Sequence, residues 1–421
     1  MKAEQKRLSR MVGKVLTEKK IILVNPFVDY SHIGHIDKLY PPLSLLYTST
    51  LLKRLGFEDT SLIDADTKKI RPDSAFWGNL NAHIFIISTA SLHRWQCPPI
   101  DFSFLSFKDV LRKKNPDSYF FFIGPHTPQK HLQKEFFIQA NPEVRLCNLI
   151  TNLILKRKGE IEPKITNLPL PDYSLVKKKD YSFPLFRGKF FLIESSRGCP
   201  HNCSFCNKTM HPKYEKKALS QIKKELLSLH KSGIRNLGFI DLDFLADKKF
   251  ALEICSLLSG FSPRFRYFIQ TRCDNVEDGI LKELSDSGCD LIQLGVETFS
   301  RKTLTRMNKR QEPSSITNAF DLCKKHRIKT LAYMMAGFPG QTDKQFRDDT
   351  IQIKKLDPDY ISCVPYVDYL HNKAIGIKKA RSMNLNFYLR PYWIIKTLRS
   401  GNALGLFALL RSFITYLISR Q

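Results

Sequence analysis

Short apolar strands alternate with helical segments through the second half of the chain, and this alternation limits the fold more than any other feature. Helical patterns separate the strands, two of them with predicted N-caps at Asp247 and Ser314. Six strands recur between residues 189 and 365: KFFLIES, LGFI, FRYFI, LIQLG, IKTLAYMM and YISCVP. Such alternation predicts parallel β/α units. Eight units would close a full barrel, so six predict an incomplete (β/α)6 TIM-type barrel with an open side.

The first 150 residues show a similar alternation. Its predicted strands are IILVN (21–25), TSLID (60–64), IFIIS (84–88) and YFFFIG (119–124). They predict a doubly wound Rossmann-like sheet, which binds ligands at the carboxyl ends of its strands. The loops there are residues 25–35, 88–99 and 124–127. The fold class is therefore α/β: a doubly wound N-terminal domain, then an incomplete barrel and a C-terminal helical tail.

Composition and pattern give five segments. We predict a basic lead-in (1–20), the Rossmann-like domain (21–150), a Lys- and Pro-rich linker (151–185), the barrel (186–385) and the tail (386–421). Residues 403–418 of the tail are nearly apolar all round. Two interpretations stay open: this helix lies on a membrane surface, or it packs over the open side of the barrel.

The net charge is strongly positive, because 67 Lys and Arg stand against 40 Asp and Glu. Such an excess favours a polyanion, an anionic membrane or an anionic substrate, although it could also serve only solubility. The start has no apolar signal region, and no run of 18 apolar residues exists. We therefore expect a cytoplasmic protein, with peripheral membrane contact as a possibility.

Three cysteines form the sharpest motif, C-x3-C-x2-C, in SSRGCPHNCSFC directly after the first barrel strand. Cys199, Cys203 and Cys206 could hold three irons of a [4Fe–4S] cluster and leave the fourth open to a ligand. The alternative is a Cys3His zinc site that includes His201. Five other cysteines lie in apolar patterns, where free Cys behaves as a small hydrophobe: Cys255, Cys273, Cys289, Cys323 and Cys363.

This motif at the start of a six-unit barrel resembles the radical S-adenosylmethionine (SAM) superfamily, in particular its branch with an N-terminal cobalamin-binding-like domain. The resemblance covers roughly residues 20 to 400. It includes FIDLDF, QTRCDNV, LGVETFS, RMNKRQ and AGFPGQT in the barrel, and YPPLSLLYTSTLLKRLGF and GPHT in the first domain.

The resemblance implies roles for residues at the strand ends. The three cysteines would ligate the cluster, and its open iron would bind the amino and carboxylate groups of SAM, whose cleavage yields a 5′-deoxyadenosyl radical. Asp241 and Asp243 would accept from the SAM amino group, Arg272 would pair with its carboxylate, and Glu297 would hold a ribose hydroxyl. The other expected cofactor contacts are Phe205, Gln270 and Gly337.

For the first domain the resemblance implies cobalamin as a possible cofactor. The D-x-H-x-x-G motif that supplies a cobalt ligand in such domains is missing, since the loop reads DYSHIGH with Asp29 and His32 one residue too far apart. Either His32 or His35 ligates cobalt, or no side chain does. Gly124, His126 and the loop at 91–97 would line the corrin or its nucleotide tail.

The expected function is cobalamin-assisted C-methylation or cyclisation at an unactivated carbon of a small molecule or lipid, with a reducing electron donor as partner. The runner-up is a radical SAM enzyme that modifies RNA. Such relatives carry three further Cys in the first domain, whereas only Cys97 and Cys147 precede the linker here. Nucleic acid is therefore less favoured as a partner. A third interpretation is a zinc-stabilised binding module without catalysis. The last barrel strand also lacks the P-G-T that often follows its Pro-Tyr.

Overall fold

The computed structural model describes residues 19–27, 39–90, 103–128, 133–154, 156, 161–162, 164–207, 213–369, 371 and 373–399. The chain divides into two compact units. The first contains residues up to 28, 41–180 and 207–225, and the second contains 29–40, 181–206 and 226–421. The lead-in, most of the loops at 25–35 and 88–99 with His32, His35 and Cys97, and the apolar tail at 403–418 lie outside the described residues.

The first unit contains a five-stranded parallel sheet in the order β2-β1-β3-β4-β5. This is a doubly wound order, and its direction reverses between β1 and β3. The predicted α/β class is confirmed. The elements are β1 (Ile21–Asn25), α1 (Leu43–Arg54), β2 (Thr60–Asp64), α2 (Ala65–Lys68), β3 (Ile84–Ser88), α3 (Phe104–Lys114), β4 (Tyr119–Ile123), β5 (Glu135–Ile138) and α4 (Pro142–Leu153).

Aromatic side chains build the core of this unit. Phe104 and Phe107 of α3 pack on Phe85 and Phe122 of the sheet, and all four are buried. Alternate residues of β1, such as Ile22 and Val24, point to the same cluster, as the period of a strand requires. The sheet is thus a packed scaffold, and the loops at the carboxyl ends of its strands are the part that can bind a ligand.

The first unit also contains a buried cluster of polar side chains. The Lys217 Nζ donates to the hydroxyl of Tyr47 (2.6 Å) and to Glu225 (3.0 Å), and the Tyr173 hydroxyl donates to Glu225 (3.1 Å). Burial and the nearby Glu225 charge raise the pKa of Tyr173 well above its ordinary value. These contacts satisfy every charge of the cluster, so its role is to join residues 213–225 to α1.

The second unit is an open barrel. Its sheet has the order β15-β14-β13-β12-β11-β10-β7-β6; β7 and β10–β14 pair in parallel, and β6 and β15 add antiparallel edges. The strands are β6 (Ser182–Phe183), β7 (Phe186–Ile193), β8 (Ser196–Arg197), β10 (Asn236–Phe239), β11 (Arg266–Arg272), β12 (Cys289–Glu297), β13 (Lys329–Ala336), β14 (Tyr360–Asp368) and β15 (Lys373–Ile375), with β9 (Glu215–Lys216) in the first unit. Six parallel strands in the described chain confirm the incomplete barrel.

Helices separate the parallel strands as expected. They are α5 (Leu219–Lys231), α6 (Lys248–Ser259), α7 (Asp278–Asp286), α8 (Arg301–Arg306), α9 (Pro313–Lys325), α10 (Asp343–Leu356), α11 (Ile377–Tyr388) and α12 (Pro391–Arg399). Asp247 caps α6 by accepting from the Phe250 amide. The cap predicted at Ser314 is wrong, because α9 begins at Pro313 and Glu312 occupies the N-cap, which suits proline's fixed φ. Among the described helices, none is long and apolar enough to cross a membrane.

Candidate active site

The cysteine loop leaves the end of the first parallel barrel strand through Gly198, whose φ is +73°. Cys199, Cys203 and Cys206 are partly exposed, whereas the other described cysteines are buried. Burial raises the pKa of each of those buried thiols, and that of Cys323 reaches about 12. Since the thiolate is the form that binds metal, the described chain offers accessible sulfur ligands on this loop alone.

The segment after α8 holds the loop in place. The Ser204 amide donates to the Met307 carbonyl (2.9 Å), and the Asn308 side-chain amide donates to the Asn202 carbonyl (2.8 Å). The Ser204 hydroxyl donates to the Arg306 carbonyl (3.3 Å). The RMNKRQ motif therefore acts partly as a clamp on the cysteine loop.

Phe205 has a packing role. Its ring is partly buried against Met307, Met335 and Phe338. Side chains from the end of β13 and from the residue after α8 thus support the residue before the last cysteine. This support fixes the loop, and cofactor contact by Phe205 stays a prediction.

Arg272 lies at the end of β11, next to a cysteine. Its guanidinium binds Asp274 through two hydrogen bonds (2.8 and 2.7 Å) and also donates to the Lys309 carbonyl. Its remaining terminal nitrogen is 3.6 Å from the Cys203 Sγ. Arg272 is 7% exposed, so it places a desolvated positive charge beside a candidate thiolate. Its predicted contact with the SAM carboxylate is untested.

Asp243 joins the cysteine loop to the barrel. One carboxylate oxygen accepts from the Thr271 hydroxyl (2.6 Å), and the other accepts from Asn275 (2.7 Å) and lies 3.3 Å from the His201 Nε2. His201 is inside the cysteine loop, so this buried carboxylate links the loop to β11 and to the turn after it. A contact with SAM would compete with these partners.

Asp241 is also buried, and both its oxygens have partners. It accepts from the Ser195 amide (3.1 Å) and from the hydroxyls of Ser195 and Ser196 (2.6 Å for the latter). Burial raises the pKa of Asp241, although these hydrogen bonds oppose the rise. The geometry assigns Asp241 to the connection between β7 and the cysteine loop.

Glu297 and Lys309 form a buried ion pair at the end of β12. The Lys309 Nζ is 2.9 Å from the Glu297 carboxylate, and their side chains are 4% and 10% exposed. Glu297 has a φ of +66°, which is rare for a residue with a side chain and marks functional sites. Sequence reasoning singled out Glu297 and missed Lys309. The RMNKRQ motif was the available signal, but nothing in it shows which of its three cations is buried.

Gln270 and Gly337 lie on neighbouring parts of the barrel rim. Gln270 is half-buried on β11, and its carbonyl accepts from the Phe244 amide (2.9 Å). Gly337 has a φ of +84°, and a Cβ there would lie 2.5 Å from the Ile375 carbonyl oxygen. Backbone packing therefore already requires glycine at 337, and its contact with a cofactor stays a prediction.

The donor set fits a cluster better than zinc. Two sulfurs on one zinc lie at most about 4.6 Å apart, since each bond is about 2.3 Å. In the described chain one group of side chains meets such a limit, Cys199 with His201 and Asp243. The predicted Cys3His set is therefore not assembled, because Cys203 and Cys206 lie outside the group. Thiolates that bind separate irons of one cluster lie farther apart than the ligands of a single ion, and Arg272 adds a positive charge beside Cys203.

In the first unit, the predicted corrin contacts follow β4. The His126 amide donates to the Thr89 hydroxyl (3.3 Å), and its ring Nδ1–H donates to the Thr89 carbonyl (3.0 Å). Gly124 has a φ of +136°, and a Cβ there would collide with the same hydroxyl. These contacts join the ends of β3 and β4, where a doubly wound sheet binds ligands.

Comparison with known proteins identifies the family to which this site belongs. The profile of the radical SAM superfamily matches residues 193–350, which include the cysteine loop and the ends of β10–β13. The chain contains a radical SAM domain. Membership implies a [4Fe–4S] cluster and SAM as its cofactors.

Two curated relatives and a solved structure align with most of this chain. An uncharacterized methyltransferase of Pyrococcus horikoshii is 24% identical over 89% of this chain and 86% of its own. An anaerobic magnesium-protoporphyrin IX monomethyl ester cyclase of Synechocystis is 25% identical over 86% of this chain and 78% of its own. The solved structure of the radical SAM methyltransferase TsrM from Kitasatospora setae, with cobalamin and a [4Fe–4S] cluster bound, superposes with a TM-score of 0.60 and 15% identity over 82% of this chain and 74% of that one. The fold is thus shared with the branch predicted from the sequence.

Proposed function

We propose that this radical SAM enzyme uses cobalamin to modify an unactivated carbon, by C-methylation or cyclisation, in a small molecule or lipid. Relatives named as a methyltransferase and as a cyclase support these two outcomes, and the fold shared with cobalamin-bound TsrM supports the cofactor. One observation carries the radical chemistry: three accessible cysteines lie on one clamped loop beside a buried guanidinium, in a chain whose other described cysteines are buried.

The residues of the barrel have different roles in this proposal. Cys199, Cys203 and Cys206 would hold three irons of a [4Fe–4S] cluster, which would pass an electron from an external reductant to SAM. Arg272 stabilises negative charge on Cys203, because opposite charges attract strongly where water is excluded. The Lys309–Glu297 pair fixes the strained end of β12 beside them. The protein's contribution is placement and electrostatics, since the cofactors carry the hard chemistry.

Cobalamin would bind where the first sheet reverses direction. In a sheet of this order the ligand lies beyond the carboxyl ends of β1 and β3. Asn25 ends β1 and is held by Asp64 of β2 (2.8 Å), and Thr89 follows β3 and orients His126. These buried contacts preorganise the rim at which the corrin would lie.

The decisive experiment measures cluster, corrinoid and SAM cleavage in the same anaerobic preparation. The reconstituted chain should contain about four irons and four sulfides, bind hydroxocobalamin with a spectral change, and release 5′-deoxyadenosine from SAM under reduction. Cys203→Ala should lose the cluster and 5′-deoxyadenosine. Cys255→Ala is the matched control, since Cys255 is buried on α6 and should leave both intact.

Each negative result of this experiment would refute a different part of the proposal. One zinc per chain in place of iron would refute the radical chemistry, whereas 5′-deoxyadenosine from Cys203→Ala would refute the assignment of Cys203 as a cluster ligand. A reconstituted chain that cleaves SAM but leaves the hydroxocobalamin spectrum unchanged would refute the cobalamin proposal alone.

A further inference from the structure

The last part of the chain has a one-sided charge distribution. After Asp368 the sequence contains no Asp or Glu. The same stretch contains nine cationic residues: Lys373, Lys378, Lys379, Arg381, Arg390, Lys396, Arg399, Arg411 and Arg420. Three of these cations, Lys379, Arg390 and Lys396, pair with Asp343 and Asp357, and the stretch still has a net positive charge because it supplies no acid of its own. A segment of this kind attracts an anionic partner.

The same segment exposes an apolar stripe on α12. Tyr392, Ile395 and Leu398 are 62%, 48% and 52% exposed, and Leu389 just before the helix is 50% exposed. Residues three apart lie on one face of a helix. Tyr392, Ile395 and Leu398, the α12 stripe, therefore form an apolar face toward solvent.

The opposite face of α12 is firmly attached. Trp393 and Thr397 are buried. The Trp393 indole N–H donates to the Asp359 carbonyl (2.8 Å), and the Lys396 Nζ is 3.1 Å from the Asp357 carboxylate. The stripe is thus displayed by a helix held against the end of the barrel, and its exposure does not come from a frayed terminus.

Such exposure is concentrated in this part of the described chain. Before residue 369, the exposed large apolar side chains of the described chain lie one each on a short 3-10 helix and on three separate α-helices: Phe76, Leu227, Leu252 and Ile351. Single exposed hydrophobic residues are normal on a protein surface, whereas a contiguous set marks an interaction surface.

We propose that the α12 stripe docks this enzyme onto an anionic lipid bilayer. An apolar helix face flanked by cations binds a membrane interface, because the side chains enter the acyl boundary while Lys and Arg meet anionic headgroups. A nucleic acid would attract the same cations but would leave the three apolar side chains of the stripe in water.

The test uses the full-length reconstituted enzyme and vesicle flotation. We expect the chain to float with phosphatidylcholine vesicles that contain about 30% phosphatidylglycerol, and more weakly at about 0.5 M salt than at about 0.1 M. The triple variant Tyr392→Ser, Ile395→Ser, Leu398→Ser should lose about tenfold or more of this binding. Ile351→Ser is the matched control, because Ile351 is 51% exposed on α10 and should bind as the wild type does.

Three results would overturn the proposal. One is an absence of flotation with anionic vesicles, and a second is equal flotation of the wild type and the triple variant. The third is a lower thermal midpoint of the triple variant with unchanged vesicle binding, which would show that residues 400–421 of the same chain cover the stripe. Binding of single-stranded RNA without vesicle binding would assign the surface to nucleic acid. Iron content and 5′-deoxyadenosine formation test the catalytic proposal separately.

Discussion

Replacing Lys309 by Met would leave the Glu297 carboxylate buried without its cation. The two groups are 2.9 Å apart, and their side chains are 4% and 10% exposed. Burial lowers the pKa of Lys309, but the Glu297 carboxylate, with smaller contributions from Cys273 and Cys203, raises it above its ordinary value. Removing one partner of such a pair costs about 3–5 kcal/mol. That is a large part of the about 5–15 kcal/mol that keeps a domain folded.

Urea unfolding of the apoprotein, followed by a signal from the barrel, measures this cost. With an m-value of about 2–3 kcal/mol per molar urea, Lys309→Met should lower the midpoint by about 1–2 M. Adding Glu297→Gln removes the stranded charge, so the double variant should recover most of the loss. Lys344→Met is the control, because its pair with Asp348 (3.1 Å) is exposed and contributes at most about 0.5 kcal/mol.

The double-mutant cycle also contains the refutation. If the double variant loses the sum of the two single losses, to within about 0.5 kcal/mol, the two charges do not interact and the buried pair is not what fixes the end of β12. A midpoint for Lys309→Met equal to that of Lys344→Met would refute the reasoning as directly.

Three further changes have defined outcomes. Gly337→Ala should cost more than about 2 kcal/mol in urea, because its φ is +84° and its Cβ would meet backbone at 2.5 Å, whereas Gly279→Ala, which has open space, should change stability by less than about 1 kcal/mol. Burial raises the pKa of Asp349 from 3.8 to about 6, so the folded form alone holds this proton between those values. Stability should therefore fall by about 3 kcal/mol as the pH rises from about 4 to 6, and the difference between wild type and Asp349→Asn should show that slope. Asp243→Asn should weaken iron binding about tenfold by loosening His201, as measured by iron retained against a chelator.

The strands buried on both faces were the most predictable part of the fold. A run such as IFIIS in β3 is apolar throughout because helices cover both sides of a parallel sheet. β5 was missed, since Glu135–Ile138 is four residues long and begins with an acid. The edge strand β15 was missed for the same reason: Lys373–Ile375 has three residues, two of them exposed. Edge strands need less burial and therefore leave a weaker pattern.

The site was predictable only where it is local in sequence. The three cysteines lie within eight residues, so their spacing alone indicates the chemistry. The Arg272 contact with Cys203 joins residues 69 positions apart, and the Asn308 contact with Asn202 joins residues 106 positions apart. In a chain with 67 cations, no local pattern shows that Lys309 is the buried one. Burial of a charge is decided by what the fold brings to it.

Asp241 and Asp243 were predicted to have the same role from the sequence, but the fold gives them different hydrogen-bond partners. Both follow the end of β10 and both are buried. Asp241 accepts only from neighbouring serines in the contacts described above, whereas Asp243 reaches across to β11 and to His201. Neutral donors satisfy most of the charge of these acids, whereas Arg272 points one of its nitrogens at sulfur. Three thiolates on one loop repel one another, and a buried cation reduces that repulsion where water cannot. The placement of acids and cations at the barrel rim therefore follows from the charge that the cysteine loop must carry.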